Sequence, residues 1–534
     1  MNPLPEDLQA WSLAARLAVI GQDELMAARA FEVLSRLKPT WDSDPDRTLS
    51  PLMVQLNLLG ASARLEKVRT NRDLFRMAWE RATGNSPTAT AVHEVAVRLY
   101  QGNGTSRDHA SAFRWHRVAA EAGEPAAMGD LASMYLAGEG TSRDVERGVA
   151  WHTKAADAGV AGSMFHLGVL YAEGTLVPRN DVEAAKWYTR GVEAGEPTAM
   201  FNLSLCYQTG RGVAVNEAKA LELLTAAANG GVSRAMFNLG VAYANGEGVT
   251  KNLPLAELWY SKAAHAGDFA AMLNLGVMYA SGNGVPQDAA IALKWLTPAA
   301  EAGQAGAMHT IGVLYADGTG VPVDQAKAAE WFTKAATLGH VRSMLRLGLM
   351  HANGTGVPVD HLKSLEWYTK AAETGNTTAM LAIGLAHDNG HGVPKDRGTA
   401  WTWYCEAAAA GDAKSMALLG ESYLLGTYVP VDYAKALEWY TKAAAAGDTT
   451  SMCALAHMHL HGYGVPVSPV KSIEWIKKAA DAGNVEAMFI LGVSLEHGDV
   501  LPADDAGAVE WFTKAARSGH SGAQESLRNR GRSW

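Results

Sequence analysis

Histidine, cysteine and carboxylate side chains at short spacings are where chemistry would start in this chain. The densest group is His457-Met-His459-Leu-His461. On a helix His457 and His461 stand i, i+4 on one face, a spacing that lets two imidazoles reach one metal ion, with Cys453 one turn earlier. Three ligands in a straight row along one helix converge poorly on a tetrahedral ion, so no metal is expected there. His459 falls in a column that elsewhere holds tyrosine, and is expected to replace a tyrosine hydrogen bond in the core. Asp504 with Asp505, and Glu121 with Glu124, have the composition of an acid–base pair. They sit at helix starts or exposed ends, where caps and solvated charge account for them. Gly138-Glu-Gly140 and Gly246-Glu-Gly248 look like pieces of a phosphate loop but recur as a turn. No GxxxxGK[ST], GxSxG or HExxH occurs. No catalytic residue, metal or cofactor is expected.

Composition narrows the class. The 534 residues are 48% hydrophobic and 19% charged, as in folded globular chains. A net charge of −9 argues against a broad nucleic-acid surface. Three cysteines, Cys206, Cys405 and Cys453, are too few for a disulfide framework and read as small buried hydrophobes. No run approaches 18 uninterrupted apolar residues, so no transmembrane helix is expected. Glu6, Asp7 and Arg16 spoil a signal peptide, and the expected address is cytoplasmic. What needs explaining is 54 Gly, 16 Trp and 19 Met in one chain.

The explanation is repetition. AMFNLGVAYANGEGV from Ala235 aligns with AMLNLGVMYASGNGV from Ala271, an offset of 36 residues. With Ala235 as position 1, the register holds from Ala91 to Gly522 without insertion or deletion, giving twelve copies. Positions 12 and 33 are Gly in all twelve, and position 25 is Trp in eleven, Leu223 being the exception. A degenerate copy precedes them at 55–90, with Gly60 and Trp79 in phase.

The columns name the elements. Positions 2, 5, 6 and 9 follow i, i+3, i+4, i+7, one stripe of an amphipathic helix, and positions 22, 25, 26 and 29 give a second. Position 18 is Asp, Asn or Ser throughout, an N-cap for the second helix, and Gly at position 33 suits its left-handed end. Each copy is therefore an antiparallel pair, helix A over positions 35–11 and helix B over 19–32. Lysines recurring at position 28, such as Lys154, Lys334 and Lys442, complement the helix B dipole. One pair cannot bury both stripes alone, and stacking pairs builds a continuous core. The expected fold is all-α, an α-solenoid.

The pattern A-M-x-x-L-G-x-x-Y-x-x-G-x-G-V-P-x-D-x-x-K-A-x-x-W-Y-x-K-A-A-x-x-G resembles the Sel-one-like repeat (SLR), a relative of the tetratricopeptide repeat. Residues Ser343 to Thr378, with LEWYTKAAETG, match it almost letter for letter. The resemblance implies a right-handed superhelix acting as a scaffold or adaptor for a protein partner, as in degradation, signalling or host-interaction assemblies. One secreted bacterial branch carries a disulfide in each repeat and is proposed to bind β-lactams. This chain lacks those cysteine pairs and so departs from that branch; an enzyme or small-molecule (β-lactam-like) binder with a groove site is the alternative reading.

Partners of stacked helix pairs usually lie on the surface lined by helix A. With positions 2, 5, 6 and 9 turned inward, positions 3, 4, 7, 11 and 36 are left to face the concave groove. Position 3 reads Phe165, Phe201, Phe237 and Leu273, position 4 reads His166, Asn202, Asn238 and Asn274, and position 36 adds Arg234. Asparagine both donates to and accepts from a peptide backbone, so the ladder suits an extended protein segment. Residues 1–54 are expected to form a helical N-terminal cap or docking region, 91–522 the twelve repeats, and 523–534 a C-terminal capping helix and tail. A buried tryptophan column predicts that Trp331→Ala costs roughly 3–5 kcal/mol locally. An unchanged denaturation midpoint would contradict it.

Overall fold

The computed structural model describes residues 89–102 and 107–534; the expected N-terminal cap and nearly all of the degenerate copy lie outside them. Among the described residues there are twenty-five α-helices and no strand, an all-α solenoid of paired helices. The chain forms two compact units, one ending at Asp268 and one beginning at Phe269.

The seventh copy shows why each pair forms. Helix A runs Ala305–Asp317 and helix B Gln325–Thr337, 13 residues each. Asp324 caps helix B by accepting the Lys327 N–H at 2.9 Å. The same side-chain cap is made at position 18 of all twelve copies, from Asp108 through Ser468 to Asp504. Helix B ends where Gly339 takes φ +85°, letting its N–H reach Ala336 O and the His340 N–H reach Ala335 O. A Cβ on Gly339 would touch nothing, so only the backbone conformation requires glycine there. The last helix, Ser521–Asn529, lays Ala523 and Leu527 onto Asp505–Arg517. Arg530 is held by Glu496 and Asp505.

The buried faces differ by one step from the expected stripes. On helix A, Ala307, Ile311, Gly312 and Leu314 face inward, positions 1, 5, 6 and 8, while Met308 and Tyr315 are half-buried. On helix B, Ala328, Phe332, Ala335 and Ala336 are buried, positions 22, 26, 29 and 30. Trp331 is half-buried, as are most of the position-25 tryptophans, Trp115 and Trp259 being buried. Their indole faces carry the position-28 cation: Lys334 stands 4.2 Å over Trp331, Lys442 4.3 Å over Trp439, and Lys514 4.1 Å over Trp511. The lysine column thus answers to tryptophan as well as to the helix dipole. For Trp331→Ala the half-buried ring lowers the expected cost to the bottom of the range for large aromatic truncations, about 3 kcal/mol or less.

In seven of the twelve copies helix A is joined to helix B by a ring seated on a glycine. A Cβ built on Gly312 would lie 2.6 Å from the Phe332 ring, and one on Gly240 would lie 2.6 Å from Tyr260. Wherever position 6 is not glycine, position 26 is not Tyr or Phe: Ala96 with His116, Ala132 with His152, Ser204 with Leu224, Ala456 with Ile476. The pair is a volume constraint written in two columns.

Gly312→Ala is expected to cost about 1–3 kcal/mol by overpacking, part of which Phe332→Leu in the same chain recovers. Urea denaturation of the two single variants and the double variant checks this. Strictly additive losses would show that the ring and the glycine are not coupled.

Candidate functional site

Positions 3 and 4 lie at the edge of the buried face, where consecutive copies meet. Position 3 leans on the next helix A: Leu273 would stand 3.1 Å from a Cβ on Gly306, and the His309 imidazole bonds the Ser343 hydroxyl at 2.9 Å. Position 4 leans back on position 26 of the preceding copy: Asn202 donates toward the Tyr188 phenol, and His166 lies 5.4 Å from His152, ring to ring. Positions 3 and 26 of one copy and position 4 of the next therefore share one locus.

The expected ligand-facing residues divide accordingly. Phe165 packs on Tyr188, Phe201 on the cluster of Ala235 and Leu239, Phe237 on Tyr260, and Leu273 on the cluster of Ala307 and Ile311. The apolar members thus serve repeat-to-repeat packing. His166 and Arg234 are exposed, and Asn202, Asn238 and Asn274 are half-buried. Arg234 covers Phe237 and reaches Asp268 at 3.9 Å. Phe165 through Asn238 belong to the first unit, Leu273 and Asn274 to the second.

The fourth copy opens a cavity. Ser204 and Leu224 replace the glycine and its ring, and Leu223 replaces the tryptophan beside them. The space holds about 570 Å³ and is lined by Ser204, Leu205, Leu221, Leu224 and Val241, with Gln208, Asn238, Glu217 and Glu247 among its polar groups. Ser204 is buried and donates to the Phe201 carbonyl, while Glu217, Glu247 and Gln208 are exposed. Apolar walls with two carboxylates and no lysine or arginine suit an aliphatic cation.

The histidines fall into exposed and buried or half-buried groups. His457 and His461 are exposed with ring centres 4.4 Å apart. At the position-9 histidines His351, His387 and His459, Nδ1 is buried without a hydrogen-bond partner. Among the described residues, three metal-ligating atoms come together instead at His93, His116 and Asp130. Local spacing hides this trio; the signal was in columns, since the three occupy positions 3, 26 and next-copy 4. The cysteines fit the expectation of small hydrophobes: Cys206 is buried, Cys405 and Cys453 half-buried, and burial pushes all three thiols up.

Comparison with known proteins places this geometry. A family model described as the Sel1 repeat matches twelve consecutive stretches, 89–124, 125–160, 161–196, 197–232, 233–268, 269–304, 305–340, 341–376, 377–412, 413–448, 449–484 and 485–520. The chain is similar, at 32% identity and TM-score 0.59, to the crystal structure of a protective antigen of uropathogenic Escherichia coli displaying an SLR fold. That likeness covers 78% of this chain and 89% of the other. A Sel1 repeat protein from Oxalobacter formigenes is also 32% identical, covering 66% and 90%, at TM-score 0.46. No curated protein sequence matches.

His152 yields a test of how tightly the locus is packed. It is buried, its Nδ1 bonds the Ser163 hydroxyl at 3.2 Å, and its pKa is lowered to about 4 by desolvation and then by His166. The folded state resists the proton that the unfolded state takes up near pH 6.5, so stability is lost as pH falls from 6.5 to 4, by up to about 3 kcal/mol. The stability gap between the wild type and His152→Phe is expected to shift by that amount across this range. A gap that stays constant with pH would show that His152 does not titrate as a buried neutral group.

Proposed function

We propose, from the premise that this chain belongs to the Sel1 repeat family, whose members are generally protein-interaction scaffolds, that it is a non-catalytic adaptor holding an extended segment of a partner protein. The segment lies along the surface of the A helices of the first unit, with Asn202 and Asn238 bonding its backbone and His166 and Arg234 at the rim. The observation that carries this reading is the cavity of the fourth copy, which one of those asparagines, Asn238, also lines. An extended chain projects alternate side chains to one side, and a pocket beside a backbone-bonding amide is where one of them would anchor. The carboxylates of Glu217 and Glu247 favour lysine or arginine there, whose aliphatic stem lies along Leu221 and Leu224 while its charge meets the acids.

Support also comes from the way the A helices approach one another. Pro125–Ala137 touches Ala89–Gln101 directly, and Pro197–Thr209 touches Ala161–Glu173, so neighbouring A helices of the first unit meet at these places. Tandem helical repeats bind along such surfaces because each copy contributes a few side chains at a constant pitch.

The test uses the family's own solution to packing. Ser204→Gly with Leu224→Tyr restores the glycine–ring pair and fills the cavity. Affinity purification from cells, read by mass spectrometry, is expected to give one stoichiometric partner whose capture the filled variant loses, while its melting temperature stays at or above the wild type. Arg234→Ala with Asn238→Ala is expected to weaken the same capture by about tenfold or more. Capture unchanged in the filled variant would overturn the cavity's role; capture unchanged in both would overturn the surface. Turnover of a small-molecule substrate without any partner would favour the enzyme alternative.

A further inference from the structure

We propose that the first two repeats share a divalent transition-metal site, zinc(II) in ligand class, formed by His93, His116 and Asp130. The three come from three helices: His93 from Ala89–Gln101, His116 from His109–Glu121, and Asp130 from Pro125–Ala137 of the next copy. Their ligand atoms all lie within 4.8 Å of one another. His93 Nε2 and His116 Nδ1 each stand 3.7 Å from Asp130 Oδ2. That is too long for a hydrogen bond. It is close to the separation of about 3.4 Å expected of two ligands roughly 2.1 Å from one tetrahedral ion.

The copies provide an internal control. His152 holds the place of His116 one repeat later and satisfies its Nδ1 on Ser163. The residue equivalent to Ser163 beside His116 is Ala127, which has no hydroxyl to offer. His116 is 2% exposed, and its Nδ1 has no hydrogen-bond partner. A buried, unpaired ring nitrogen carries an uncompensated desolvation cost, and this one points at a carboxylate and a second imidazole.

The donor set defines the ion. Two imidazole nitrogens and one carboxylate oxygen suit zinc and its borderline neighbours better than calcium or magnesium, which prefer all-oxygen shells. Three protein ligands leave coordination open, and the Asp130 side chain, 50% exposed, puts the open side toward solvent. A bound ion would tie helix A and helix B of the first copy to helix A of the second. Its binding would therefore add to the stability of that end of the described array.

The test is zinc titration of the full chain after chelator treatment, followed by calorimetry and by the melting temperature. The wild type is expected to bind one zinc ion at micromolar concentration or tighter and to melt higher with zinc than without. Asp130→Asn changes a half-exposed group and keeps the fold; it and His93→Gln are each expected to weaken zinc binding by at least about tenfold. Both should abolish the zinc-dependent rise in melting temperature. His457→Gln with His461→Gln removes the exposed pair elsewhere and should leave the tight site intact. Zinc binding unchanged in both Asp130→Asn and His93→Gln, or lost in the His457/His461 variant, would overturn the assignment. So would a wild type that binds no zinc at micromolar concentration.

Discussion

In seven of the twelve copies the two helices meet through one contact, an aromatic ring set against the place where a side chain would begin. Glycine at position 6 lets helix B press its Tyr or Phe directly onto the backbone of helix A, as Phe332 does on Gly312 and Tyr404 on Gly384. That approach sets the distance within each pair. The alanines around it, such as Ala328, Ala335 and Ala336, set how closely the next pair can come. Because both are matters of volume, they tolerate only paired changes.

Of the four copies that lack the position-6 glycine, the first and the fourth are the ones with a candidate site. In the first, Ala96 displaces the glycine and the ring becomes His116; in the fourth, Ser204 displaces it and the ring becomes Leu224. Both changes act on the locus where position 26 meets position 3 of its own copy and position 4 of the next. In one case the smaller group is polar and gathers His93 and Asp130 around it. In the other it is apolar and leaves room beside Asn238. A single structural address thus serves packing in most copies and, in the first and fourth, supplies the proposed metal and anchoring sites.

Period, caps and helix ends were legible because each is local: Asp324 needs only the amide three residues on, and Gly339 needs only its own φ. The inward faces were legible only to within one step. Tryptophan reads as core by type, yet Trp331 sits at the rim with Lys334 on its face, and Phe332 beside it takes the buried seat. Composition cannot separate two adjacent aromatics; the packing of helix B on Gly312 does. Leu223 was visible as the one gap in the tryptophan column, but the space is lined by its sequence neighbour Leu224 and by Val241 of the next helix A. His93, His116 and Asp130 were the least legible of all, being 23 and 14 residues apart and joined only through the stacking offset.

The unbroken 36-residue register has a hereditary side. Every copy presents the same seam to its neighbours, with a capped helix start at position 18 and a glycine stop at position 33. Unequal exchange between two copies of the coding sequence would delete or duplicate a whole pair in phase, and the seam it made would be one the chain already contains. The length of such an array can drift over generations without a misfit being created. The idiosyncratic first and fourth copies, whose partners lie across the seam, can move only together with the copy that follows them.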